Sequence, residues 1–228
     1  NNNTALGKNA LINNTTGENN TAIGYEAMRN NTTNNNATAV GWLAMYSNTT
    51  GAFNVAVGGE AMRNNTTGGS NTAVGRSALR SNTTGSNNTV FGHNALQAVT
   101  TGSRNTAVGT EALLNSTANE NTAVGFETLR ANTTGYENTA IGDGALRANT
   151  TGYQNTAIGS STLVNNTTGF GNIAVGDAAL LTNTTGNNNT ALGKNALINN
   201  TTGVNNTAIG YESMQNSTAN SNAGAVGW

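Results

Sequence analysis

Few side chains in this sequence can do chemistry. His93 is the single histidine, and there is no cysteine. Nucleophilic catalysis needs a nucleophile, a base and a group that orients the base, and no such set of residues is fixed around His93. It occupies a variable position after Gly92 and reads as a surface residue. The carboxylates Glu26, Glu60, Glu111, Glu127 and Glu212 fall in one recurring position, several with Arg29, Arg63 or Arg130 three residues on. The Gly-Gly-x-Gly-x-Asp phrase of calcium-binding rolls is absent. These residues therefore read as ion pairs within or between chains, each worth at most ~1 kcal/mol where exposed. The expectation is a chain that is not an enzyme, with no catalytic residue, no cofactor and no metal ligand.

The other candidate chemistry is recognition. Tyr25, Trp42, Tyr136, Tyr153, Phe170 and Tyr211 stand at variable positions and form the candidate binding surface. Their faces can stack on sugars or cover crevices between chains, and aromatic enrichment at protein interfaces favours the second. The repeated Asn-Thr-Thr phrases and Asn115-Ser116-Thr117 are formal N-glycosylation acceptors, although turn composition alone generates such triplets. A threonine face suited to ice or another crystal is not expected from Thr49 and Thr50, because neighbours on a strand point to opposite sides.

What positions these residues is a repeat. Gly7, Gly24, Gly41, Gly58, Gly75, Gly92 and Gly109, then Gly125 and its successors to Gly227, recur every 17 residues, except for one step of 16 between Gly109 and Gly125. The consensus is N-T-A-V-G-x-x-A-L-x-x-N-T-T-G-x-x. A period of this size marks a stacked architecture in which each unit is completed by its neighbours. Residues 1–228 read as a single continuous array, and residues 187–228 begin a second copy of a 1–186 superrepeat, with 35 of 42 residues matching residues 1–42.

The columns of the repeat predict the fold. The fourth is always apolar and mostly β-branched, which favours a strand with Ile23, Val40, Val57, Val74 and Ile158 pointing inward. Thr in the second column shares that face by alternation, and the small Ala column between them is expected to face a closely packed neighbour. The ninth column, with Leu79, Leu96, Leu113 and Leu129, supplies a second core layer. Gly51, Gly68, Gly85 and Gly135, replaced by Asn at Asn34, Asn119 and Asn220, mark a corner where only Gly or Asn is admitted, as a left-handed backbone selects. The one-residue deletion is expected just after Asn119. Two short strands and two corners per coil make an all-β parallel β-solenoid of about fourteen 17-residue coils. In such a stack Asn3, Asn20, Asn54, Asn71, Asn88 and Asn105 lie above one another and can form amide ladders.

Composition sets the remaining bounds. Only 35% of residues are hydrophobic and 8% charged, which without positional order would indicate disorder. The fixed apolar columns argue for a folded array. A net charge of −1 gives no electrostatic case for nucleic acid or an anionic membrane. No apolar run approaches the ~20 residues that span a bilayer, so no membrane insertion is expected of this segment. The array opens and closes in mid-repeat and reads as an excerpt. So thin a core looks marginal for a lone chain, because each large buried side chain contributes ~1.5–3 kcal/mol against ~1–2 kcal/mol of ordering per residue. Association through the Ala columns into a homotrimer is expected.

Asn71-Thr72-Ala73-Val74-Gly75 followed by Ser77-Ala78-Leu79 resembles the coils of YadA-like heads in trimeric autotransporter adhesins, and more closely the Asn-Thr-Ala-Val-Gly arrays of phage tail-fibre and bacterial surface-fibre shafts. The resemblance covers the whole chain. It implies parallel β-rolls, three chains side by side, on a cell or virion surface, with a cell-surface glycan or host receptor as partner. The expected function is the structural shaft of an extracellular trimeric fibre that presents an adhesive tip. A carbohydrate-binding solenoid surface and a self-assembling extracellular filament are the alternatives.

Overall fold

The computed structural model describes residues 2–227. The protein is an all-β parallel β-solenoid with one strand in each coil, and no helix is present among the described residues. Chain contacts divide it into two compact units, Asn1–Glu111 with Thr117–Asn119, and Ala112–Ser116 with Glu120–Trp228. The first holds β1 (Thr4–Leu6), β2 (Thr21–Ile23), β3 (Thr38–Val40), β4 (Val55–Val57), β5 (Thr72–Val74), β6 (Thr89–Phe91) and β7 (Thr106–Val108). The second holds β8 (Thr122–Val124), β9 (Thr139–Ile141), β10 (Thr156–Ile158), β11 (Ile173–Val175), β12 (Thr190–Leu192), β13 (Thr207–Ile209) and β14 (Gly224–Val226). Within each unit successive strands pair in parallel with like columns opposite one another, as in Thr21↔Thr38, Ala22↔Ala39, Ile23↔Val40 and Thr156↔Ile173, Ala157↔Ala174, Ile158↔Val175.

The strand faces the other way from the sequence expectation. Ala22, Ala39, Ala56 and Ala73 are fully buried, whereas Ile23, Val40, Val57 and Val74 are only partly covered and Ile158 is exposed. Those five are therefore outward-facing and not core. The reason is the bore of the coil. Behind each strand the interior must also take the eighth-column Ala, the ninth-column Leu or Met and two asparagines, all fully buried in a typical coil. A methyl fills the remaining space in nearly every coil, with Val90 the one larger occupant, so alternation sends Thr and the fourth-column residue outward. The smallness of the Ala column reflects the narrow lumen, not a neighbouring chain. Leu79, Leu96, Leu113 and Leu129 are fully buried, as expected.

The second expected strand is absent among the described residues. After each Gly the chain passes through tight turns in which the seventh- and ninth-column residues take left-handed backbone, as at Glu26 (φ 53°), Met28 (φ 48°) and Leu79 (φ 53°). Left-handed Leu and Met are costly for L-residues. A bond from the next coil holds each in place: Met28 N–H donates to Ala44 C=O at 3.0 Å, and Leu79 N–H to Ala95 C=O at 3.0 Å. Since the column is natively Leu or Met in the same conformation, Met62→Leu is expected to change stability by less than about 1.5 kcal/mol in chemical denaturation.

The corner glycines also differ from expectation. Gly51, Gly68, Gly85 and Gly135 are at corners but not in the left-handed region. Crowding selects glycine there: a Cβ on Gly51 would collide with the Gly68 carbonyl oxygen and lie 2.7 Å from Asn48 Oδ1. Asn119 is not in this column. Asn105 Nδ2 donates to Ala118 C=O at 2.9 Å as Asn88 Nδ2 does to Gly102 C=O at 2.9 Å, so Ala118 takes the glycine's place. Ser103 N–H donates to Asn119 Oδ1 at 2.8 Å as Ser86 N–H does to Ser103 Oγ at 3.0 Å, so Asn119 stands one place further on. The deletion therefore falls earlier, where Ser116-Thr117 replaces a three-residue Asn-Thr-Thr phrase.

Candidate interaction surfaces

Two buried asparagine columns run through the coils. In the first, Asn71 Oδ1 accepts from both the backbone N–H of Asn88 at 2.9 Å and its Nδ2 at 3.1 Å, while Asn88 Nδ2 also reaches the corner carbonyl of Gly102. This is the amide ladder expected from the sequence, interrupted by Ala37 and Ala223. The second comes from the Asn of each Asn-Thr-Thr phrase. Asn65 Nδ2 donates to Asn48 Oδ1 at 2.7 Å and to its own corner, Gly68 C=O, at 2.9 Å. The neighbouring hydroxyl spans coils as well, with Thr66 Oγ1 donating to Thr83 C=O at 2.9 Å. Both amide columns are consumed in holding the fold. The Asn-Thr-Thr acceptors Asn48, Asn65, Asn82, Asn149 and Asn166 are fully buried, and a glycan on any of them is incompatible with this coil. The spacing of 17 signalled the second ladder, but its polar residues read as turn chemistry alone.

The outward strand face is the broadest surface. Its two columns are Thr and a β-branched or larger aliphatic residue, with Ile141 39%, Ile158 37%, Ile173 45% and Ile209 37% exposed in the second unit and Val55 36% and Val108 36% in the first. Within each unit most strands add such a pair in register with the next; β6 substitutes Phe91 and β14 substitutes Gly224, while Val55 and Ile173 take the Thr place in β4 and β11.

Tyr136, Tyr153 and Phe170 come together in successive coils as a stack, with ring centroids 5.1 and 4.8 Å apart and interplanar angles of 5° and 3°. Their faces meet each other, which leaves no face between them for a sugar ring. Tyr25, Trp42 and Tyr211 are exposed in a different column, after the strand glycine. The six aromatic candidates therefore do not form one platform. Tyr211 hydrogen-bonds its neighbour Glu212, which together with that carboxylate's charge raises the phenol's pKa. Arg29 Nη1 donates to the Tyr46 hydroxyl at 2.6 Å, and its guanidinium lies 5.7 Å from the ring centroid. That hydrogen bond, with the nearby Tyr46 and Glu26 charges, raises the Arg29 pKa above its ordinary value.

The acidic column makes ion pairs between coils as well as within them. Glu60 meets Arg63 Nη1 at 2.9 Å and Arg80 Nε of the next coil at 3.2 Å. Glu127 meets Arg130 Nε at 3.7 Å and Arg147 Nε at 2.8 Å. The inter-coil partners Arg80 and Arg147 were missed in the sequence, although each follows its in-coil partner by the repeat length. His93 is exposed, and no group of three or more His, Cys, Asp or Glu able to hold a metal ion occurs among the described residues. No helix among them is long and apolar enough to cross a membrane. No protein-family model and no curated protein matches the chain, so the reading of its surfaces rests on its own residues.

Proposed function

We propose that this chain is a shaft segment of a trimeric extracellular fibre on a cell or virion surface, a non-enzymatic spacer that holds a receptor- or glycan-binding tip away from its base. The observation that carries the reading is the outward strand face. Val, Ile and Leu are ordinarily among the most buried residues, yet here the fourth-column residue faces outward in every described coil, as Phe91 in β6 and as an aliphatic residue elsewhere, part-covered in some coils and exposed in others such as Val108, Ile141, Ile158 and Ile209. Contiguous exposed apolar surface marks an interaction site. The stripe recurs through the coils of each unit, so copies of the chain set side by side meet like with like, and a closed cyclic trimer covers all three stripes at once. Its resemblance to YadA-like and fibre-shaft coils points to the same assembly. The ladders and narrow core complement this role, because they commit the buried asparagine amides to stacking the coils.

Light scattering on the purified chain is expected to return about three times its 23.1 kDa mass. Replacing Ile158 and Ile173 together by Lys is expected to yield monomers that keep the β circular dichroism spectrum, since both side chains point away from the lumen. A wild-type monomer at micromolar concentration overturns the trimer.

A further inference from the structure

Thiol and thioether chemistry is almost absent from this surface. The chain has no cysteine, and three of its four methionines, Met28, Met45 and Met62, are fully buried, which removes side chains that oxidants ordinarily attack. Of the five tyrosines, Tyr136 and Tyr153 alone are spaced by the repeat length. Their rings are parallel to within 5° with centroids 5.1 Å apart, close to the ~4.8 Å between neighbouring strands. The backbones beside them are tied together: Gln154 N–H donates to Tyr136 C=O at 3.0 Å, and Gln154 Nε2 donates to Glu137 Oε2 at 2.9 Å. Tyr136 is 42% exposed. Stacking alone does not call for hydroxyls, since Phe170 continues the stack at 4.8 Å without one. What the paired phenols add is redox chemistry.

We propose that Tyr136 and Tyr153 are the site of an oxidative dityrosine cross-link that staples two consecutive coils, formed when a one-electron oxidant, a haem peroxidase acting with hydrogen peroxide, reaches these phenols. Each phenol gives up one electron and its hydroxyl proton and becomes a phenoxyl radical, whose unpaired spin is shared with the ring carbons ortho to oxygen. One ortho carbon of each ring joins the other in a new C–C bond. The hydrogen on each bonded carbon then leaves as a proton while its ring oxygen takes one up, which restores both phenols. Two electrons and two protons are lost in all, and they reduce one hydrogen peroxide to two waters. Groups held in contact react at effective concentrations far above those of a micromolar encounter, so coupling within the pair outruns coupling between chains. The new bond closes a loop of one repeat and restrains the unfolded chain as a disulfide does. The site does not depend on the oligomeric state or on the reading of the chain as a shaft.

The test treats the full chain at micromolar concentration with a haem peroxidase and hydrogen peroxide, isolates material that migrates as a single chain under denaturing conditions, and digests it with trypsin. Cleavage after Arg130, Arg147 and Lys194 puts Tyr136 in peptide 131–147 and Tyr153 in peptide 148–194. Mass spectrometry is expected to find these two peptides joined with the loss of two hydrogens, at least about tenfold above any cross-link between chains. Tyr153→Phe, which keeps a ring in the stack, is expected to abolish the joined peptide with an unchanged circular dichroism spectrum. Tyr136→Phe combined with Phe170→Tyr is expected to move the link down one coil, read as the loss of two hydrogens within peptide 148–194. Absence of the joined peptide from the wild type, a predominance of cross-links between chains, or failure of the double variant to move the link each overturns the proposal.

Discussion

Gly75→Ala is expected to destabilise the protein by roughly 4 kcal/mol or more. Gly75 has φ +136°, a conformation that an L-residue rarely adopts, and a Cβ there would lie 2.5 Å from the Gly92 carbonyl oxygen and 2.7 Å from its carbon. Both obstacles are backbone, so no side chain can swing away to make room. Relief requires the next coil to move, yet that coil is bonded at this level: Gly75 N–H donates to Val57 C=O and Gly92 N–H to Val74 C=O, each at 2.8 Å. Strained backbone costs about 1–3 kcal/mol alone, and lengthening these ladder bonds adds to it. Gly59→Ala is the matched control, because Gly59 has no positive φ and a methyl group at its Cα would meet nothing within 4 Å. It is expected to change stability by no more than about 0.5 kcal/mol. Urea unfolding of the pair measures the contrast; a Gly75→Ala loss under about 1 kcal/mol contradicts it.

The periodicity made the solenoid legible, along with its in-register pairing, its leucine layer and the first asparagine ladder, because each follows from counting residues between like positions. The facing of the strand did not follow from counting. A period-2 pattern says that Thr72 and Val74 share a side and Ala73 takes the other; hydrophobicity then assigns the larger residues to the core. That inference holds where the core is wide. Here Leu79, Ala78, Asn71 and Asn82 already fill the lumen, and volume outranks hydrophobicity. The corner glycines failed for a related reason. Gly and Asn share a tolerance for left-handed backbone, but Gly68 is selected by the crowding of Asn65 Oδ1 at 2.6 Å, while left-handed geometry is assigned to Met62 and Leu79, whose types give no hint of it. The aromatic stack was open to the same counting that found the ladders, since Tyr136, Tyr153 and Phe170 are spaced by 17.

These facings also decide where the exposed surface can act. With the amides buried, Thr and the aliphatic residues become the repeating surface chemistry, and the charged clusters become local exceptions to it.

Asn155→Leu is expected to destabilise the second unit by roughly 3–5 kcal/mol, several times the cost of a single lost partner. Leucine branches where asparagine does but carries methyl groups in place of the amide, so the substitution removes the hydrogen bonds and adds some bulk to a filled lumen. Asn155 Oδ1 accepts from the Asn172 backbone N–H at 3.0 Å and from Asn172 Nδ2 at 3.0 Å. Its Nδ2 donates to Asn138 Oδ1 at 3.2 Å and to Gly169 C=O at 2.8 Å. Each buried polar group left without a partner costs about 1–3 kcal/mol. Asn172 Nδ2 keeps Gly186 C=O at 2.8 Å and Asn138 Oδ1 keeps the Asn155 backbone N–H at 3.0 Å, which confines the loss to a subset of groups. The Asn172 backbone N–H has no such second partner in the ladder. Hydrogen exchange therefore separates this mechanism from a general loosening. In Asn155→Leu the Asn172 amide is expected to lose protection beyond the global fall in stability, while the Gly176 amide, which donates to Ile158 C=O at 2.8 Å, falls only with the whole unit. Equal loss at both amides, or a stability change below about 1 kcal/mol, would show that the ladder is an accessory to the fold and not one of its supports.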